Sequence, residues 1–327
     1  MSSSNAFNFE TPSGSAAGCN YNQRARAAEY IKRGWSPIPV KFMGEEPTPP
    51  DWQKLRIGVN DIDHWFPADQ PQNIGVILGD PSNDLVVVDI VDRDALPFAE
   101  SYLPRTWVFG RASRRRSHWI YNAPAEYIRD AVKPRKFVVG GCTIVDVRSD
   151  GQHAVFPGSI HESGEPITFG DHFDGSPRAI ELFELELGID MVLIATVLYK
   201  RWLFGGRRSL ALNTAKCLLS AGWTQGGVER LINLVATQAG DDDVDGLAAI
   251  QSAFDLPATY KSGRSGLVDC MGEESVLNLE ARWRNIEEWR DALDRPKHDF
   301  APCEGFPRFR QFPPLASRRC NGGGPSK

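Results

Sequence analysis

From residue 22 to about 187 the apolar positions come in short runs, each broken by Gly, Pro, Asp or Asn, whereas beyond 188 they recur at helical spacing. Ala27, Ala28, Tyr30 and Ile31 predict an amphipathic helix over Asn22 to Arg33, ended by Gly34. WSPIPV then reads as a strand, Gly44 to Pro50 as a Pro/Gly loop, and Ile62 to Phe66 as a short helix. Strands follow at NIGVILG, LVVVDIV, WVFG, SHWIY, CTIVDVRS and HAVFPGSI. This pattern predicts an α+β domain over 21–187.

The texture then changes. VLIATVLYKRWLFGG, RRSLALNTAKCLLSAGW and TQGGVERLINLVATQAG predict helices stopped by Gly205, Gly222 and Gly240, with Thr224 as an N-cap. Together with ESVLNLEARWRNIEEWRDAL they form a small all-helical module over 188–290. Residues 1–20 are small and polar and predict a disordered lead; 291–327 read as a Pro/Gly/Arg-rich tail.

Composition narrows the class without choosing a function. With 327 residues, 41% apolar and 24% charged, the chain fits a globular protein of two units. A net charge of −5 excludes a wholesale basic coat, but a positive groove is compatible with it. Cys19, Cys142, Cys217, Cys270, Cys303 and Cys320 are scattered without a C-x-x-C pair, which speaks for free thiols in a reducing compartment. No apolar stretch long enough to span a bilayer and no signal-peptide core is present, so the expected location is cytoplasmic, away from membranes.

Four segments could carry chemistry. In VVVDIVD a buried strand delivers Asp89 at its exit, where the alternative is an Asp that merely caps the strand end. In TIVDVRSDG, period-two alternation sets Ile144, Asp146 and Arg148 on one face; the alternative is a solvated ion pair. GRASRRRSHWIY predicts a loop with Arg111, Arg114, Arg115 and Arg116 leading into a strand that carries Ser117 and His118. Like charges that dense call for an anion such as phosphate. FPGSIH adds Ser159 and His161, which taken singly are turn residues. Nucleotidyl transfer needs carboxylates for divalent metal and cationic donors for a triphosphate, and these segments supply both. A metal-dependent nuclease or phosphohydrolase would use the same parts.

GWSPIPV, PPDW, NIGVILG, VVVDIVD, SHW, VDVRSDG and PGSIH stand in the order of the bifunctional primase-polymerase domain of the archaeo-eukaryotic primase superfamily, found in plasmid and phage replication proteins; the chain resembles that family over Arg26 to Phe169. The resemblance implies a mixed-sheet catalytic domain, template-dependent DNA primase or polymerase activity, and Mg²⁺ or Mn²⁺. Its partners would be single-stranded DNA, nucleoside triphosphates and a separate helicase, since no G-x-x-x-x-G-K-[ST] loop is present. By motif, Asp89 and Asp146 match the metal-binding acids and His118 the nucleotide-binding histidine. Arg148, Ser159 and His161 match positions expected near the incoming nucleotide or template, and Arg114, Arg116 and Ser117 belong to the basic segment expected to bind the nucleotide's triphosphate. GGRRSLALNTAKCLLSAGW resembles, more loosely, the helical module that follows such domains. One departure concerns the first motif, which in the family carries two acids one residue apart: here it reads Asp89, Ile90, Val91, and only a strand ending at Ile90 would let Asp92 or Asp94 swing back to the metal. This leaves open a catalytically impaired relative that acts as a nucleotide- and DNA-binding replication initiator.

Overall fold

The computed structural model describes residues 23–123, 135–170, 175–204, 206–241 and 263–287, with side chains to 283. The expected lead over 1–20, the tail over 291–327, Gly205, Cys19, Cys303 and Cys320 lie outside the described residues.

Ten strands and eight α-helices are formed among those residues. The first half contains α1 (Gln23–Lys32), β1 (Ser36–Val40), α2 (Ile62–Trp65), β2 (Asn73–Ile77), β3 (Leu85–Ile90), α3 (Leu96–Tyr102), β4 (Trp107–Arg111) and β5 (Arg114–Asn122). Next come β6 (Arg135–Val139), β7 (Cys142–Arg148), β8 (His153–Val155), β9 (Thr168–Phe169) and β10 (Arg178–Ala179). The helices α4 (Leu182–Trp202), α5 (Arg207–Ser220), α6 (Gln225–Gln238), α7 (Arg264–Met271) and α8 (Glu273–Glu287) complete the described chain. This is the expected α+β order of sheet first and helices after. Gly34 ends α1 in the left-handed region at φ 77, and the Thr224 hydroxyl caps α6 by accepting from the Gly227 amide at 3.2 Å.

The strands build two sheets. A large one has the order β6-β7-β3-β5-β4-β9, antiparallel throughout, and β10 adds a parallel pairing on β5, so the sheet is mixed. A small one has the order β1-β2-β8. Alternation along β3 explains how the layers stack. Val86, Val88 and Ile90 enter a core shared with α3 and the later helices, while Leu85 and Val87 enter a second core with α1 and the small sheet. The large sheet is therefore covered on both faces, as its run of valines requires. Asp89 continues the Leu85–Val87 face and emerges where that second core ends.

Three observed elements differ from the sequence expectation for physical reasons. Arg114, Arg115 and Arg116 belong to β5 rather than to a loop, because the β4–β5 connection is only Ala112–Ser113. The pairing slips by a bulge between Phe109 and Arg111, Arg116 takes the left-handed φ of 59, and Gly110 faces Arg114 so closely that any Cβ would overlap its carbonyl oxygen. HAVFPGSI is a strand only as far as Val155; Pro157 and Gly158, at φ 101, end it. Finally, α4 starts at Leu182 and runs unbroken through the expected boundary at 187/188.

Candidate functional site

β7, β3, β5 and β4 lie side by side in a register that sets one row of residues across the sheet. Asp146 is directly opposite Asp89, Asp89 opposite His118, and His118 opposite Phe109. The row extends to Lys136 on β6 and Phe169 on β9. Directly opposed residues present their side chains on the same face about 5 Å apart, so three distant sequence segments meet in one place.

Electrostatics bind the row together. The Arg148 guanidinium, two residues beyond Asp146 on the same face, lies between the carboxylates: Nε is 3.2 Å from Asp146 Oδ2 and Nη2 is 3.6 Å from Asp89 Oδ2. Asp146 is only 5% exposed, so this partner matters to it. His118 Nε2 stands 3.5 Å from Asp89 Oδ1, and its Nδ1 is 2.9 Å from Ser117 Oγ. Phe109 stacks on the imidazole at 4.5 Å with nearly parallel planes. Burial lowers the His118 pKa, with the Asp89 charge opposing it, so the ring is neutral near pH 7.

Arg114 approaches from β5. Its Nη2 donates to the carbonyls of Ile90 (2.6 Å) and Val91 (2.5 Å), which fixes the guanidinium at the exit of β3. Burial lowers its pKa and the Asp89 charge raises it, yet an arginine stays protonated at any ordinary pH.

The other expected residues sit elsewhere. Asp92 leaves the β3 face: Val91 and Asp92 both donate to the Ile144 carbonyl, and the Asp92 carboxylate accepts from the Asp94 amide at 2.9 Å and from Lys200 Nζ of α4 at 2.9 Å. Asp94 accepts from the same ammonium at 2.8 Å. Burial acts to lower the Lys200 pKa, but these two carboxylates outweigh it and hold the pKa above its ordinary value. Arg116 turns to Glu100 of α3 at 3.3 Å and packs over Trp119. Ser159 is buried, its Oγ accepting from the Ile74 amide and donating to the Ile74 carbonyl. His161 belongs to a turn in which Ser163 and Glu165 clamp the β4–β5 connection through Ser113 and Arg111.

Sequence reasoning did not single out Phe109, Lys136 or the pair Glu45–His153. The alternation in WVFG, once opposed to SHW, would have found Phe109. His153 Nε2 donates to the Glu45 carbonyl at 2.8 Å, and its ring meets Trp52 edge-on at 4.8 Å. That contact folds the loop after β1 back against the rim of the site. Burial is the main cause that lowers the His153 pKa from 6.5, opposed by the Glu45 carbonyl, while nearby Arg148 lowers it further. An unfolded histidine then takes up its proton before the folded one, so this stability is present above pH 6.5 and lost as pH falls below it. Urea unfolding at pH 7.5 and 5.5 should show a smaller loss on acidification in His153→Gln than in the wild type.

Two carboxylates on adjacent strands, a neutral imidazole and two guanidiniums make an anion- and cation-handling site of the kind used for phosphoryl chemistry. Residues 27–180 match the family model described as bifunctional DNA primase/polymerase, N-terminal, and this segment carries the entire row from Phe109 to Asp146 and on to Phe169. The α/β part of the chain is thus similar to the N-terminal domain of bifunctional DNA primase/polymerases, a likeness that supports a primase/polymerase-type function in DNA replication. Among curated proteins none matches the chain. Among the described residues no helix is long and apolar enough to cross a membrane.

Proposed function

We propose that the chain joins nucleotides on a single-stranded DNA template in plasmid or phage replication, with Asp89, His118 and Asp146 at the centre of the site. The observation that carries this reading is the row Asp146–Asp89–His118 on neighbouring strands with Arg148 bridging the acids. In the reaction the primer 3′ oxygen bonds to the α-phosphorus while the bond from that phosphorus to the bridging oxygen breaks. Pyrophosphate leaves with the electron pair, and the hydroxyl proton passes to solvent. Asp89 and Asp146 are the residues that would hold Mg²⁺ or Mn²⁺, whose Lewis acidity would activate the attacking oxygen and offset charge on the leaving group.

The chain's own groups do the rest. His118, kept in place by Phe109 and Ser117, presents an uncharged imidazole that can donate to a phosphate or sugar oxygen. Arg148 and Arg114 provide charge-assisted donors for the triphosphate. Arg116 and Ser159, whose bonding groups are turned to Glu100 and Ile74, serve the frame. A separate helicase would open the duplex.

The test is incorporation of labelled nucleotides on primed and unprimed single-stranded DNA with Mg²⁺ or Mn²⁺. Extension or primer synthesis is the expected result, and no product with any metal from a folded protein refutes it. Val91 and the engagement of Asp92 by Lys200 favour a second reading, an initiator that binds nucleotide and DNA without transfer. Binding without incorporation would select that reading, and degradation of DNA in the absence of nucleotides would select a nuclease.

A further inference from the structure

Metal donors and fixed positive charges are unequally distributed in this site. Asp89 and Asp146 are two opposed carboxylates, and among the described residues no third His, Cys, Asp or Glu completes a metal-holding cluster with them. Val91, which would return to the Asp89 face if β3 continued, brings no donor, and Asp92 is held by Lys200 and its own cap. The guanidinium of Arg114 is instead fixed at that strand exit by the carbonyls of Ile90 and Val91. Arg148 differs from it: among the described residues its ion pairs are with the two acids, at 3.2 and 3.6 Å, so a divalent ion held by the carboxylates would take over its charge-balancing role and free it for phosphate. Arg114, anchored on backbone oxygens rather than on the acids, keeps its place when the acids are engaged.

Resting on the nucleotidyl-transfer reading, we infer that the site takes one divalent cation, between Asp89 and Asp146, and that Arg114 supplies the second positive charge from the exit of β3. In-line transfer profits from two cations because both attacking and leaving oxygens gather charge. A guanidinium serves that need without metal ligands; with Nη2 engaged by the two carbonyls and Nε buried, Nη1 is the group of Arg114 that would meet a phosphate oxygen. Because Arg114 is bonded to the Val91 carbonyl, an acid introduced at position 91 would stand close to this guanidinium and could pair with it, so an additional carboxylate alone need not create a second metal site.

Manganese decides the matter because its electron spin resonance reports both the number of ions and their proximity. The full chain, with a non-hydrolysable nucleoside triphosphate analogue held slightly below the protein concentration so that no ion is counted on free nucleotide, is titrated with Mn²⁺ past two equivalents. The expected result is one ion per chain with the six-line spectrum of an isolated Mn²⁺. Val91→Asp combined with Arg114→Ala should give two ions and a coupled spectrum. Arg114→Ala alone should keep one ion and bind the analogue on the order of tenfold more weakly, and Arg114→Lys should recover part of that loss. Two coupled ions in the wild type overturn the inference and leave nucleotidyl transfer standing. No Mn²⁺ binding overturns both. The wild-type count decides even where a variant fails to fold.

Discussion

Asp146→Asn should reduce template-dependent incorporation by about 10³-fold while the protein stays folded. Asparagine keeps the shape of the side chain on β7 but removes the charge that faces Asp89 and pairs with Arg148 at 3.2 Å. Only Asp89 would then remain to hold a cation, and losses of about 10²–10³ accompany removal of one group that stabilises transition-state charge. The loss of metal affinity adds to this. Labelled-nucleotide incorporation, with circular dichroism as the check on folding, measures the effect. Incorporation within a few-fold of wild type would remove Asp146 from the reacting centre.

The largest stability effect is expected at Trp202→Ala. Trp202 is 2% exposed at the end of α4, within the core that joins the large sheet to the helices, and its indole Nε1 donates to Asp241 Oδ2 at 2.8 Å. Replacement leaves a cavity the size of an indole and a carboxylate that has lost its indole donor. Substitutions of this type cost about 3–5 kcal/mol, and for a protein of this size that lowers the unfolding midpoint by roughly 10 °C. Differential scanning calorimetry would show it, and a shift of only a degree or two would mean that the helices hold without this anchor.

Much of the fold is legible in the sequence because its strands are strongly patterned. VVVDIVD, SHWIY and TIVDVRSDG announce buried strands, and alternation alone places Asp146 and Arg148 on one face. What the pattern does not contain is register. That Asp89 lies opposite both His118 and Asp146 follows from pairing between segments up to 57 residues apart, and only the folded sheet displays it. The arginines of β5 were harder still: a cluster of like charges reads as a loop, yet pairing with β4 extends the strand through it and a bulge sends Arg116 to one face. The fate of Asp92 depended on Lys200, a residue 108 positions away on a helix whose start the sequence placed too late. Short edge elements such as β9 and β10, two residues each, carry no periodic signal at all.

The uninterrupted course of α4 has a mechanical side. Twenty-one residues make a rod of about 30 Å, with no glycine beyond Gly188 and no proline to bend it. Between sheet and bundle the chain therefore places a beam where a linker would have given a joint. A load applied at Trp202 reaches Lys200 within half a turn, and from there the acidic turn that closes β3. Any displacement of the bundle would be felt at the strand that carries Asp89.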